Sequence, residues 1–129
     1  MLRVEVIAVT TYEQRQSIGA YGERVAARHL KAAGMVILDR NYRCTHGEID
    51  IVARDGDTLV ICEVKTRRSL AYGVPLEAVT PQKAARLRRL AKHWLAEYGM
   101  SPPSVRIDVV GVIVPERGSP RVECVAGVA

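Results

Sequence analysis

The run from Thr58 to Thr66 constrains this chain more than any other segment, because it opens apolar on both faces at once. Successive side chains on a strand point to opposite faces. Val60, Cys62 and Val64 therefore share one side, and Leu59 and Ile61 share the other. A strand with two apolar faces belongs in the middle of a sheet, with cover above and below. Two amphipathic segments can supply that cover. Ile18 to Ala33 reads as a helix with Ser17 as its cap, Val25, Ala26, Leu30 and Ala33 on its apolar side, and Gly34 as its stop. Thr80 caps a second helix that has Pro81 in its first position. There Ala84, Leu87, Leu90, Ala91, Trp94, Leu95 and Tyr98 recur at helical spacing.

The remaining elements read as strands. Met35 to Tyr42 is short, and Glu48 to Arg54 leads through Asp55-Gly56 into the central run. After a loop containing Gly73 and Pro75 and then the second helix, Val105 to Val114 is strongly β-branched between Pro103 and Pro115. Arg121 to Val125 adds an edge strand. The order of helix, three strands, helix, strand predicts a two- or three-layer α/β domain with a mixed sheet. At 129 residues the chain is most simply one domain, residues 17–129, behind an N-terminal extension of residues 1–16.

Composition narrows the function classes. With 48% hydrophobic and 26% charged residues the chain is neither fibrous nor disordered, and without phenylalanine its core must be built from branched aliphatics. Cys44, Cys62 and Cys124 are odd in number and widely spaced, which argues against a disulfide framework or a zinc site and points to a cytoplasmic protein. His29, His46 and His93 are scattered. Met1 to Val9 is interrupted by Arg3 and Glu5 and is too short to span a membrane, so no membrane role is expected. A net charge of +5 favours a polyanionic partner.

Four charged residues fall on the two strands of the hairpin. By strand periodicity Glu48 and Asp50 share one face of theirs, and Glu63 and Lys65 share one face of theirs. A two-residue loop at Asp55-Gly56 would pair Glu48 with Glu63, and a four-residue loop from Asp55 to Thr58 would set Asp50 opposite Glu63. A three-residue loop would throw them to opposite faces. Crowded carboxylates repel unless a cation or protons intervene. Oxygen ligands suit magnesium or manganese, with substrate phosphate and water completing the shell. Lys65 lies about 6.6–6.8 Å along the strand from Glu63, near enough to stabilise charge developing on the same phosphate. Glu23 stands at the border of the first helix's buried face, because Ala26, Ala27 and Leu30 follow it at three, four and seven residues. The plainer readings are a solvated hairpin face with Glu–Lys pairs, and an early-turn glutamate favoured by the helix dipole.

Basic residues surround these acids. Lys65, Arg67, Arg68, Lys83, Arg86, Arg88, Arg89 and Lys92 face a single acid, Glu77, over the same stretch. Gln82 and Lys83 occupy the first turn of the second helix, whose amino end also favours phosphate. Interspersed lysine and arginine usually mean a solubilising face. Charge of nearly one sign favours contact with a phosphate backbone.

The succession Gly19-x-x-Gly22-Glu23, Gly47-Glu48-Ile49-Asp50, Glu63-Val64-Lys65-Thr66-Arg67, Ala78-Val79 with Lys83, and Arg106-x-Asp108-Val109-Val110 resembles the bacterial YraN family. That family is placed in the PD-(D/E)xK nuclease superfamily and is similar to archaeal Holliday-junction resolvases. The likeness spans about Ser17 to Val114 and implies a restriction-endonuclease-like core. It also implies Asp50 and Glu63 as metal ligands, the Val64 carbonyl as a further ligand, Lys65 as the catalytic lysine, and Glu23 as the first-helix glutamate of resolvase-like members. Gln82 would position substrate or water. Ile49 replaces the proline that names the superfamily motif, and Arg86 stands where some exonuclease branches carry tyrosine. Two functions follow as expectations. One is an endonuclease dependent on Mg2+ or Mn2+ that cuts branched or structured DNA, for which a homodimer would be expected. The other is a non-catalytic nucleic-acid-binding module that keeps the fold, with Arg67, Arg68, Gln82, Lys83, Arg86, Arg88 and Arg89 as its contact surface.

Overall fold

The computed structural model describes residues 12–68 and 80–128, with side chains from residue 17 onward. Most of the N-terminal extension, the loop containing Gly73 and Pro75, Glu77 and the Ala78-Val79 pair lie outside the described residues. Helix α1 (Tyr12–Ala32) precedes strands β1 (Val36–Cys44), β2 (Gly47–Asp55) and β3 (Thr58–Arg67). Helix α2 (Pro81–Tyr98), β4 (Ser104–Ile113) and the edge strand β5 (Arg121–Val125) follow. The strands form one sheet in sequence order. All neighbours are antiparallel except β3 and β4, which are parallel and are joined by α2 as the crossover that a parallel pair requires.

β3 is the middle strand, and its two apolar faces are covered from both sides. Val60 and Cys62 pack with Val25, Ala26, Ala27 and Leu30 of α1. Leu59 and Ile61 pack with Leu87, Leu90, Ala91 and Trp94 of α2. The result is a three-layer helix–sheet–helix domain, an α/β architecture with the arrangement of a restriction-endonuclease-like core. The Trp94 indole N–H donates to Asp39 Oδ2 at 2.9 Å, which ties the far end of α2 to β1. No helix among the described residues is long and apolar enough to cross a membrane.

Local chemistry accounts for most of the boundaries. Gly34 takes φ 97, and the Met35 N–H bonds the Leu30 carbonyl at 3.0 Å, which closes α1 in a Schellman turn. Thr80 Oγ1 accepts the Lys83 N–H at 3.1 Å and caps α2. Two expectations are corrected. Ser17 does not begin α1: the helix starts at Tyr12, and the intervening Glu, Gln and Arg are good helix formers that carry it through the serine. The β2–β3 loop is Gly56-Asp57 rather than Asp55-Gly56, because Asp55 pairs with Thr58. Gly56, at φ 60, fills the first central position that a type II′ turn reserves for glycine. Arg54 then pairs with Leu59, the register of the longer-loop alternative.

Candidate functional site

The β2–β3 ladder ends at Ile51 and Cys62, and one step further along this register Asp50 stands across from Glu63. Where the next backbone bond would fall, Asp50 Oδ2 instead accepts the Val64 N–H at 2.7 Å. The strands thus part into a notch with the Asp50 carboxylate at its apex. The N–H and C=O of one strand residue point toward the same neighbouring strand, so the Val64 carbonyl also faces the notch.

Strand alternation fails at this point. Ile49 joins the core under α2, whereas Ile51 and Ala53 join the core under α1. The β1–β2 ladder skips the rung between Asn41 and Asp50, and Asn41 has φ 55, the one positive φ among the described non-glycine residues. This left-handed kink resets the faces of both strands. A period of two therefore does not carry unbroken from Ile49 to Ile51, the stretch that holds Asp50. Glu48 is exposed and pairs with Arg43, Nε to Oε2 at 3.2 Å.

Burial is the main force pushing the Asp50 carboxyl up to about 7, with the negative charges of Glu63, Glu23 and Glu48 adding to it against the single Val64 N–H. Glu23 is raised as well, by burial first and by Glu48, while Arg40, the Asn41 side chain and Arg43 pull it back. Gly22 explains how α1 brings Glu23 this near. A Cβ on Gly22 would fall on Thr66 Oγ1 and within 2.8 Å of Thr66 Cβ. Glycine inside a helix costs about 1 kcal/mol relative to alanine. At this position it lets α1 lie directly on β3 beside the notch.

Glu63 follows Leu59 and Ile61 onto the α2 face and is only 9% exposed. Two amines converge on its Oε2: Lys83 Nζ at 2.5 Å and Lys65 Nζ at 3.6 Å. Burial lowers the Lys65 amine and the neighbouring Lys83 lowers it further, against the pull of Glu63. Burial works against Lys83 too, but its bond to Glu63 and the Glu63 charge outweigh that and raise it. Lys83 is thus the amine that holds its proton, and Lys65 gives its proton up more readily. Sequence reasoning placed Lys83 on the outer basic surface and missed this inward contact. The available signal was a cation in a helix first turn that contains no acid.

Among the described residues no three His, Cys, Asp or Glu side chains come close enough to hold an ion unaided. The charges of Glu63, Glu23 and Glu48 all act on Asp50, that of Glu63 most strongly. A pair of carboxylates with a backbone carbonyl fits magnesium, which commonly takes one or two carboxylates and fills its shell with phosphate and water. Arg68, Gln82, Arg86, Arg88 and Arg89 are exposed. Arg67 is half-buried, and its Nε has no hydrogen-bond partner among the described residues. His46 and His93, which look scattered in sequence, stack with ring centroids 4.3 Å apart. Asp108 is fully buried and held by Arg106 through Nε at 2.9 Å and Nη2 at 3.1 Å, and by the Gly127 N–H at 3.0 Å. It braces β4 to the segment after β5 and stands apart from the acids of the notch.

A model of the family described as "Uncharacterised protein family UPF0102" matches residues 22–112, which include the notch and α2. A UPF0102 protein of Kineococcus radiotolerans is 65% identical over 116 residues, 89% of this chain and 95% of that protein. One from Nocardioides sp. is 59% identical over 114 residues, covering 88% and 92% of the two chains. One from Streptomyces coelicolor is 61% identical over 117 residues, covering 89% and 90%.

Proposed function

This chain belongs to the UPF0102 family, the YraN-like family to which its motifs point, and we propose that it is a divalent-metal-dependent endonuclease of branched or otherwise structured DNA. The observation that carries this reading is the Asp50 carboxyl, held at about 7 at the apex of a notch with Glu63 across from it. A carboxylate so short of compensating charge suits a cation. Asp50, Glu63 and the Val64 carbonyl would hold Mg2+ or Mn2+, with Glu23 approaching from α1. When bound, such an ion supplies Lewis-acid polarisation of a phosphodiester and lowers the pKa of adjacent water.

The chain's own residues would do the rest. Lys65, with Nζ 3.6 Å from Glu63 Oε2, would stabilise negative charge growing on the phosphate. Arg67 has a buried Nε with no partner among the described residues, which suits a phosphate oxygen entering beside β3. Arg68, Gln82, Arg86, Arg88 and Arg89 would track the backbone outside, and Gln82 would position substrate or water. Cutting two strands of a junction calls for two such sites, so a homodimer is part of the same proposal. A cytoplasmic location agrees with the DNA substrate and with the cysteine usage.

The experiment is direct. Purified protein should nick branched DNA in the presence of manganese, and Asp50→Ala or Glu63→Ala should abolish nicking. Mn2+ should also raise the wild-type melting temperature and leave that of Asp50→Ala unmoved, since only a bound ligand stabilises the folded state. Equal nicking or an equal rise in the variants rejects the assignment. The second reading, a binding module without turnover, draws on the two amines already gathered at Glu63. It predicts unaltered DNA affinity in Asp50→Ala and no cleavage by the parent protein.

A further inference from the structure

We propose that Lys83 is a resident counter-cation at Glu63, which it occupies until an arriving divalent ion displaces it. The inference rests on the reading of Asp50 and Glu63 as metal ligands and adds a residue that acts before the metal arrives. Its first support is geometric. Lys65, the lysine of the Glu-x-Lys pair, stands 3.6 Å from Glu63 Oε2, beyond a good hydrogen bond, whereas Lys83 stands at 2.5 Å from the same atom. A carboxylate that is 9% exposed needs a charged partner or a proton. In this structure Lys83 is that partner.

The second support is where Lys83 comes from. It lies in the first turn of α2, where a cation works against the helix dipole and no acid offsets it. Its backbone is pinned, because its N–H is bonded to the Thr80 cap at 3.1 Å. Its four-carbon stem is intrinsically flexible, and 19% of the side chain is open to solvent. An anchored backbone with a flexible charged arm suits a group that must let go of one anion and take hold of another nearby. Once displaced, the ammonium would sit at the mouth of the notch beside Lys65, where a substrate phosphate would enter. Phosphate and metal would then each favour release of Lys83 from Glu63. By linkage each would tighten the binding of the other.

The test is calorimetric titration of Mn2+ alone into the full, chelator-treated chain, without DNA. Lys83→Met should bind Mn2+ about tenfold more tightly than wild type, the scale of one charge-assisted hydrogen bond that no longer has to be broken. Lys83→Arg, which keeps the cation, should stay near wild type. Lys92→Met removes an equal charge further along α2 and should move affinity far less. If Lys83→Met does not fold, Lys83→Gln carries the same expectation. Equal or weaker binding by the neutral variant overturns the proposal, as does equal tightening in Lys92→Met. Failure of the metal reading looks different: neither wild type nor any Lys83 variant would then bind Mn2+, and both inferences fall. Wild-type binding that Asp50→Ala abolishes and Lys83→Met leaves unchanged sinks the Lys83 role alone.

Discussion

Asp50 is set where a backbone rung ought to be, and that placement governs how the metal-free protein should respond to pH. Folding raises its carboxyl from the ordinary 3.8 to about 7, chiefly through burial. Between those values the folded chain keeps a proton that the unfolded chain has released. Stability should therefore fall as pH rises from about 4 to about 7 and stay lowered above that. Asp50→Asn never ionises and still offers the Val64 N–H an oxygen. It should match wild type near pH 4 and exceed it above about pH 7 by roughly 2 kcal/mol, about half the full linkage value because the side chain keeps some solvent contact. Denaturant melts in chelator at the two ends of this range would read the difference, and a variant no more stable at the alkaline end contradicts an under-solvated carboxylate. The register that sets Asp50 across from Glu63 is legible from an even loop. The outward turn of Glu48 is not, because it depends on a left-handed Asn41 on the neighbouring strand. Nor does periodicity reveal Lys83, whose reach across to Glu63 is a matter of side-chain length.

At the level of elements the site depends on α1 lying unusually close to β3. Gly22→Ala should test this. Alanine is the better helix former by about 1 kcal/mol, yet its methyl would collide with Thr66. The expected net loss is about 1–3 kcal/mol, the range for overpacking. Thr66→Ala should restore only part of it, since Thr66 Cβ itself lies within 2.8 Å of the added methyl, and Thr66→Gly should relieve the collision itself. Thermal melts of the single and double variants would check the coupling, and strictly additive losses would exclude direct contact. The elements themselves were readable because β3 alternates between two apolar sets and α2 carries its stripe from Ala84 to Trp94. Their ends were less so. Ser17 is compatible with a cap but lies inside a helix that starts at Tyr12. An Asp-Gly pair marks a turn without fixing which of its residues comes first, so the loop slid by one to Gly56-Asp57.

Across the whole molecule the net charge of +5 understates how unevenly the positive groups are committed. Arg43 is paired with Glu48, and Arg106 is held by Asp55 and by the buried Asp108. Arg121 lies 3.8 Å from Glu123 on the β5 edge. These cations are largely offset where they stand. On α2, by contrast, Arg86, Arg89 and Lys92 are exposed on a helix whose single acid, Glu97, lies near its far end. Long-range attraction for a polyanion should therefore come from α2 and the Arg68 end of β3 rather than from the chain at large. Each phosphate contact made by a basic side chain contributes close to one unit to the slope of log affinity against log salt. Arg86→Ala and Arg89→Ala should thus each flatten the slope for duplex or branched DNA by about 1 and weaken binding alike on all sequences. Lys31→Ala, an equal change of charge on α1 across the sheet from α2, should leave the slope where it was. Fluorescence anisotropy over a salt series measures all three, and a slope that falls as much for Lys31→Ala as for Arg86→Ala would mean that total charge, not the α2 face, binds the phosphates.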